Sequence, residues 1–310
     1  MPLQSIRVLG PSANRSRISG PLLRDLLAMV AEGSRRALRM RVEGRSTAAG
    51  RVPDRLEPAT EFAFLGLSDG SCVVNLEAPT LAQAAPRTFA QGSLFLDSSS
   101  SAIRLWQESL ADALAADADS DRFDLSMLAE FKKSLHRVFE HNVEMFEIRN
   151  GDSSIPATVV RREGVDQIES LKRRTPRSRR VRVAGKIDEL RHSDRRMTLI
   201  LADGRALTCL AGEIDEGRLR SLWGQHVVVS GLAVFRPSGK VLRIEADTIS
   251  LASDSDLKIW SAEPEPLGAR LDAKELHRSQ GARSGISAIF GRWPGDETDE
   301  EFEVLLKENA

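Results

Sequence analysis

The chain has 310 residues, of which 41% are hydrophobic and 29% are charged, and its formal net charge is -1. This length allows two domains with linkers, and the composition excludes a disordered or fibrous chain. No run approaches the roughly 18 apolar residues of a membrane span, and the N-terminus lacks the apolar region of a signal peptide, so we expect a cytoplasmic protein with no membrane partner. The two cysteines, Cys72 and Cys209, exclude a disulfide framework and a four-thiolate zinc site, and we expect both to be buried thiols.

The N-terminal residues predict a leader, a helix and a strand. Residues 1–17 carry no periodic signal and are expected to be a disordered leader. A helix is predicted to begin after the N-cap residue Ser19 and to end at Gly33. Residues 37–43 then alternate apolar and basic side chains, which predicts a strand.

The rest of the first half predicts a domain of mixed helices and strands. Two strands are expected on either side of the turn at residues 68–70, and two amphipathic helices separated by an acidic turn follow. Residues 143–148 return to strand alternation. We therefore expect an α+β domain over residues 18–160, with a small antiparallel sheet and three helices.

The strongest charge run of the sequence follows this domain. Residues 172–182 contain seven basic residues and no acidic one, and residues 161–178 are predicted to be a basic linker. The run continues into the next predicted strand, whose outward positions are also basic. If this segment binds nucleic acid, the contacting side chains are Lys172, Arg173, Arg174, Arg177, Arg179, Arg180, Arg182 and Lys186.

Residues 179–252 predict a small β-barrel. Three strands come first, with Asp203-Gly204 as a hairpin turn, then a short helix that ends near Gly224, then a second hairpin around residues 236–239. This order of elements resembles an OB-fold. Such barrels bind single-stranded nucleic acid with a positive groove and with aromatic side chains on which bases stack. Aromatic residues are scarce here, and Trp223, at the end of an apolar helix stripe, is expected to lie in the core.

The chain after the barrel predicts a linker and a tail. Residues 253–283 have no sustained period and are expected to be a linker with one short helix at residues 272–277. Residues 284–310 hold an apolar patch, Trp293-Pro294-Gly295 and an acidic cluster. Thr298 and Glu301 form a capping-box pattern, so a short amphipathic C-terminal helix is expected after Thr298, at the end of a flexible tail.

This tail resembles the C-terminal tails of antitoxins that are encoded beside PIN-domain toxin nucleases in bacterial type II toxin-antitoxin systems. The resemblance implies a partner that the tail binds and neutralises. A short segment that cannot bury its own apolar stripe gains by folding on a partner, and a nuclease site offers positive potential to an acidic cluster. The residues expected to contact such a toxin are Trp293, Asp296, Glu297, Asp299, Glu300, Glu301, Phe302, Leu305 and Leu306.

The catalytic and metal-binding patterns in the sequence are incomplete. Residues 66–70 match a serine nucleophile elbow, but a strand follows where a helix is required. The acidic residues at 117, 119 and 121 lack the glycine and the glutamate of a calcium loop. We therefore expect a non-enzymatic protein without a cofactor or metal: an antitoxin that binds a toxin through its tail, or alternatively a nucleic-acid-binding protein that uses the basic run. A third interpretation, an enzyme with a site in the N-terminal domain, stays open because that domain resembles no known family.

Overall fold

The computed structural model describes residues 3–11, 13–14, 17–48, 53–68, 72–89, 96–151, 156–191, 195–212 and 214–268. Helices and strands are both abundant there, which confirms the α+β class. Each helix in these ranges is too short or too polar to cross a lipid bilayer. The predicted tail, residues 284–310, and the predicted helix at residues 272–277 lie outside the described residues.

Seven strands belong to the described part of the N-terminal half of the chain. They are β1 (Leu3–Leu9), β2 (Ala13–Asn14), β3 (Arg17–Ile18), β4 (Ala63–Ser68), β5 (Cys72–Glu77), β6 (Met145–Asn150) and β7 (Thr158–Arg161). Five of them form one antiparallel sheet in the order β4-β5-β1-β6-β7, and β2 pairs with β3. The predicted hairpin of β4 and β5 is confirmed by their antiparallel register.

The expectation of a disordered leader at residues 1–17 is wrong, because β1 is the central strand of this sheet. Ile6 and Val8 point into the core and are almost completely buried. The third inward position is Gln4, which is also buried and donates a hydrogen bond to Ser101 Oγ at 3.0 Å. A polar residue at an inward position removed the apolar alternation by which a strand is recognised in a sequence.

Six α-helices accompany the sheet within the described ranges of this half. They are α1 (Gly20–Glu43), α2 (Leu81–Ala84), α3 (Pro86–Phe89), α4 (Ala102–Leu114), α5 (Leu125–Glu140) and α6 (Glu163–Arg174), and a 3-10 helix spans Glu57–Thr60. Their apolar faces share one hydrophobic core with the inward side chains of the sheet. The N-terminal domain is therefore a helical layer packed against a sheet.

Helix α1 continues through Gly33 and through residues 37–43. The predicted helix end at Gly33 and the predicted strand at residues 37–43 are therefore both wrong. The alternation was misleading because Arg39, at a position that a strand would expose, is buried and pairs with Glu43 one helical turn later at 2.8 Å. The helix ends instead at Gly44, whose φ of 73° suits a glycine cap. Gly33 lies within the helix because the Trp106 ring packs directly against it.

Gly33→Ala should destabilise the protein by about 1–3 kcal/mol, because a Cβ at this position would lie 2.3 Å from the buried Trp106 ring. Alanine has the higher helix propensity, by roughly 1 kcal/mol, but overpacking should outweigh this gain. Gly20→Ala, in the same helix but with open space around the new Cβ, is the matched control and should not destabilise. Urea unfolding of the three proteins checks this, and equal stability of the two variants would contradict it.

The predicted basic linker at residues 161–178 is also not a linker. Most of it forms α6, whose Ile168 and Leu171 are buried in the core of the N-terminal domain. Its basic residues Lys172, Arg173 and Arg174 form the last helical turn, where cations interact favourably with the helix dipole. A charge run alone does not distinguish a linker from the solvated end of a packed helix.

The second half of the described chain is the predicted barrel. Its elements are β8 (Arg179–Arg191), β9 (Arg196–Ile200), β10 (Ala206–Leu210), α7 (Glu216–Ser221), β11 (His226–Phe235) and β12 (Val241–Leu251), followed by α8 (Asp254–Trp260). The barrel closes in the order β10-β12-β11-β8-β9, with β10 parallel to β12. With α7 between the third and fourth strands, this is the topology of an OB-fold. The segment over residues 253–283, predicted to be a linker, begins with helix α8.

The N-terminal domain and the barrel belong to one compact unit, Met1–Leu267. Asp124, the N-cap residue of α5, lies 3.3 Å from the guanidinium of Arg243 on β12, and both side chains are buried. Met40 on α1 packs with Val234 and Leu242 of the barrel in a small apolar cluster. The two domains thus share a buried interface rather than a flexible connection.

The two cysteines lie in the two different cores of this unit, and both are buried free thiols, as predicted. Burial raises the pKa of Cys72, and it raises the pKa of Cys209 to about 12.

We expect neither thiol to react with a maleimide in the native protein at pH 8, and both to react in denaturant. Because the domains share an interface, the two thiols should become reactive over the same denaturant range, which mass spectrometry of the labelled peptides measures. Labelling of Cys209 well before Cys72 would mean that the barrel opens independently.

Candidate functional site

The helical part of the basic run is largely paired with one acidic residue. The Glu169 carboxylate lies 2.9 Å from Lys132, 3.7 Å from Lys172 and 3.2 Å from Arg173. The hydrogen bond from Lys132 is the main cause that lowers the pKa of Glu169, with Arg173 and Lys172 adding to it. This cluster joins the end of α6 to α5, and it remains net positive because one carboxylate offsets only one of the three positive charges.

The strand part of the run has the orientation that the sequence predicts. Arg180, Arg182 and Lys186 are exposed on the outer face of β8. Two of them face acids. Arg180 lies 2.7 Å from Asp247. The pKa of Asp256 is lowered mainly by a hydrogen bond from Ser253, and the positive charge of Arg182 lowers it further. Helix α8, which carries Asp256, packs against β8.

Three cations of the run are exposed and have no acidic partner among the described residues: Arg174, Arg177 and Lys186. Arg179 is half-buried at the start of β8. The run is therefore a broken series of cations on two elements, not one continuous positive surface.

Trp223 departs most from its prediction. Expected in the core, it follows the C-terminus of α7 and is 64% exposed. Its indole Nε1 donates a hydrogen bond to the backbone oxygen of Asp188 on β8 at 3.1 Å. One edge of the indole is therefore fixed to the barrel while the ring remains accessible to solvent, which is the arrangement of a stacking platform.

Trp223 borders an open groove of about 600 Å³ between α7 and the ends of β8 and β9. Of the described residues, four arginines line the groove: Arg191, Arg195, Arg196 and Arg220. Arg195 has a φ of 54°, which is uncommon for a residue with a Cβ, and its guanidinium donates a hydrogen bond to the backbone oxygen of Gly212. Lys186 lies two residues before Asp188 on β8, roughly 7 Å from the groove along the strand.

The groove also contains carboxylates, and most of them are paired. Glu189 lies 3.4 Å from Arg191 and accepts a hydrogen bond from Thr198 Oγ1 at 3.2 Å. Glu216 pairs with Arg220 one helical turn away. The Glu216–Arg220 pair is solvent-exposed and the Glu189–Arg191 pair is partly exposed, so each contributes little stability and an incoming anion can compete for the arginine at low cost.

The N-terminal domain restricts access to the other side of the barrel. In OB-folds, ligands bind across the second and third strands, between the loop that joins strands one and two and the loop that joins strands four and five. Here the second of these loops is occupied, because Ser238 N donates to the backbone oxygen of Ala118 at 3.1 Å and Lys240 lies 3.1 Å from Asp119. Arg196 of β9 also donates a hydrogen bond to the backbone oxygen of Val42 at 3.5 Å. The loop that joins the first two strands forms the other flank of this face, and Arg191 and Arg195 at its two ends line the groove beside Trp223.

The groove was not predicted from the sequence, although two signals point to it. The polar break that joins the first two barrel strands ends in Arg195-Arg196 and follows Arg191, so several cations meet at one end of the barrel. Trp223 directly precedes Gly224, whose φ of 73° ends the turn after α7. A bulky residue at the very end of a short helix is free to leave the apolar stripe, because the helical period no longer fixes its direction.

The predicted toxin-binding residues of the tail, from Trp293 to Leu306, lie outside the described residues. Within the described ranges, no group of three or more His, Cys, Asp or Glu side chains has the arrangement of a metal site. The chain matches no protein-family model, no curated protein and no solved structure.

Proposed function

We propose that this protein binds single-stranded nucleic acid through the groove beside Trp223. The observation that carries the proposal is the exposed indole, fixed by its bond to Asp188 and surrounded by arginines at one end of an OB-fold barrel. Base stacking on such an aromatic ring is tolerant of sequence, and arginines beside it provide contacts to phosphate.

The chemistry favours a single strand over a duplex. In a duplex both faces of each base are already stacked, so the Trp223 ring has no base face to contact. A single strand can place one base on the indole while its flanking phosphates contact Arg191, Arg195 and Arg220. Lys186, without an acidic partner in the described structure, extends the positive path along β8.

Fluorescence anisotropy with a labelled oligonucleotide of about 12 nucleotides, within the range of OB-fold site sizes, tests the proposal. Affinity for the single strand should fall as salt rises, with a slope of about -0.7 in log K against log salt for each neutralised phosphate. Arg220→Ser should make the slope shallower by roughly the contribution of one phosphate contact. Arg24 is an exposed arginine of α1 outside the groove, so Arg24→Ser should leave the slope unchanged. Absent or salt-independent binding would refute the proposal.

We propose as a second function that the C-terminal tail binds and neutralises a protein toxin, of the PIN-domain ribonuclease class. The support is the sequence pattern of residues 284–310, in which Trp293-Pro294-Gly295 precedes an acidic cluster and a short amphipathic stripe. The full chain and a version that ends at Ser284 should be co-expressed with the product of the neighbouring gene. Co-purification with the full chain alone supports this proposal, and equal failure of both refutes it.

Both proposals describe a cytoplasmic, non-catalytic protein, and they are compatible with each other. The free, buried thiols of Cys72 and Cys209 suit a reducing compartment. Binding of nucleic acid by the version that ends at Ser284 would separate the two functions, since the groove would then act without the tail.

A further inference from the structure

The Asp188 carboxylate differs from the other acids in the groove. It is exposed and lines the groove, and it has no hydrogen-bond or ion-pair partner among the described residues. Glu189 and Glu216, in the same groove, are both paired with arginines. The backbone oxygen of Asp188 accepts the hydrogen bond from the Trp223 indole at 3.1 Å, so the residue that carries the free carboxylate directly contacts the stacking residue, and both line the same groove.

An unpaired carboxylate in a groove for nucleic acid cannot lie on the path of the phosphates, because like charges at close range repel. The arginines of the groove can bind the backbone, which leaves the edge of the stacked base as the part of the ligand that meets Asp188. A carboxylate accepts hydrogen bonds and donates none, so it favours base edges that present N–H groups.

The four bases differ sharply at this edge. The Watson–Crick edge of guanine presents two adjacent donors, N1–H and the exocyclic amine, which match the two oxygens of a carboxylate. Adenine and cytosine present one amine beside an acceptor nitrogen. Uracil and thymine present one N–H between two carbonyl oxygens, which a carboxylate repels.

We infer that Asp188 reads the base stacked on Trp223 and selects guanine. This inference rests on the proposed binding of single-stranded nucleic acid, and it assigns the groove a base preference that stacking alone does not give. The carboxylate contacts the Watson–Crick edge, which is free only in a single strand.

The test uses the full chain and oligouridylates of about 12 nucleotides that carry guanine, inosine, adenine or uracil at the central position. The guanine strand should bind about tenfold more tightly than the all-uracil strand, and inosine, which lacks the exocyclic amine, should lose most of this gain. Asp188→Asn should abolish the preference, because an amide offers one acceptor and one donor. Asp203→Asn, at the β9–β10 turn outside the groove, is the matched control and should keep it.

The outcomes separate this inference from the function on which it rests. If no strand binds, the proposed function fails together with the inference. If all strands bind equally, the inference is overturned while the proposed function stands. If Asp188→Asn strengthens binding to every strand by the same factor, the carboxylate only repels phosphate, and the inference is overturned as well.

Discussion

Asp124→Ala should lower the free energy of unfolding by about 3–5 kcal/mol, the range expected when one partner of a buried ion pair is removed. The remaining Arg243 is 7% exposed and would lose its buried carboxylate partner, keeping only the partly exposed carboxylate of Glu245 at 2.9 Å. Asp124 also accepts hydrogen bonds from Ser46 Oγ at 2.5 Å and from the backbone N–H of Met127 at 3.1 Å, where it caps α5. A single carboxylate thus satisfies donors from a loop, a helix and the barrel.

Urea unfolding followed by circular dichroism measures this loss. Asp119→Ala is the matched control, because Asp119 also pairs with a barrel cation, Lys240, but both side chains are exposed. It should have little effect, since exposed pairs contribute little. Arg243→Ala should cost less than Asp124→Ala, because Asp124 keeps its other donors. Near-wild-type stability of Asp124→Ala would mean that the two domains are not held together at this interface.

The barrel was predictable from the sequence because its strands alternate regularly. On β8, Val183 and Ile187 are buried while Arg182 and Lys186 are exposed, as the period of two requires. The two hairpin turns that the sequence predicted each have a glycine with positive φ, Gly204 and Gly239. Local pattern and final structure agree wherever burial follows a simple period.

The elements that were mispredicted are those in which tertiary contacts override the local pattern. Gly33 continues α1 because the Trp106 ring fills the space beside it, and no property of residues 20–43 alone reveals that ring. Gln4 occupies an inward position of β1 because Ser101, the N-cap residue of α4 and distant in the sequence, accepts its hydrogen bond. The exposure of Trp223 likewise depends on a backbone oxygen that is supplied by a different element.

Trp223→Ala should weaken binding of single-stranded oligonucleotides by roughly 5- to 150-fold, because stacking of one base on an aromatic side chain contributes about 1–3 kcal/mol. The fold should persist, since the ring is 64% exposed and its removal creates no cavity in the core. Trp223→Phe keeps an aromatic face but loses the bond to the Asp188 oxygen, so an intermediate affinity is expected.

Anisotropy titrations at fixed salt measure these affinities, with circular dichroism to verify folding. Trp260→Ala on α8 is the matched control, because this tryptophan is also solvent-accessible, at 36%, but does not line the groove. The salt slope should be the same in Trp223→Ala and wild type, since the indole neutralises no phosphate. An unchanged affinity of Trp223→Ala, or an equal loss in Trp260→Ala, would contradict the groove as the site. A loss of affinity with a constant salt slope would place base stacking at Trp223 and phosphate binding at the arginines, which are the two separate contributions that the groove geometry requires.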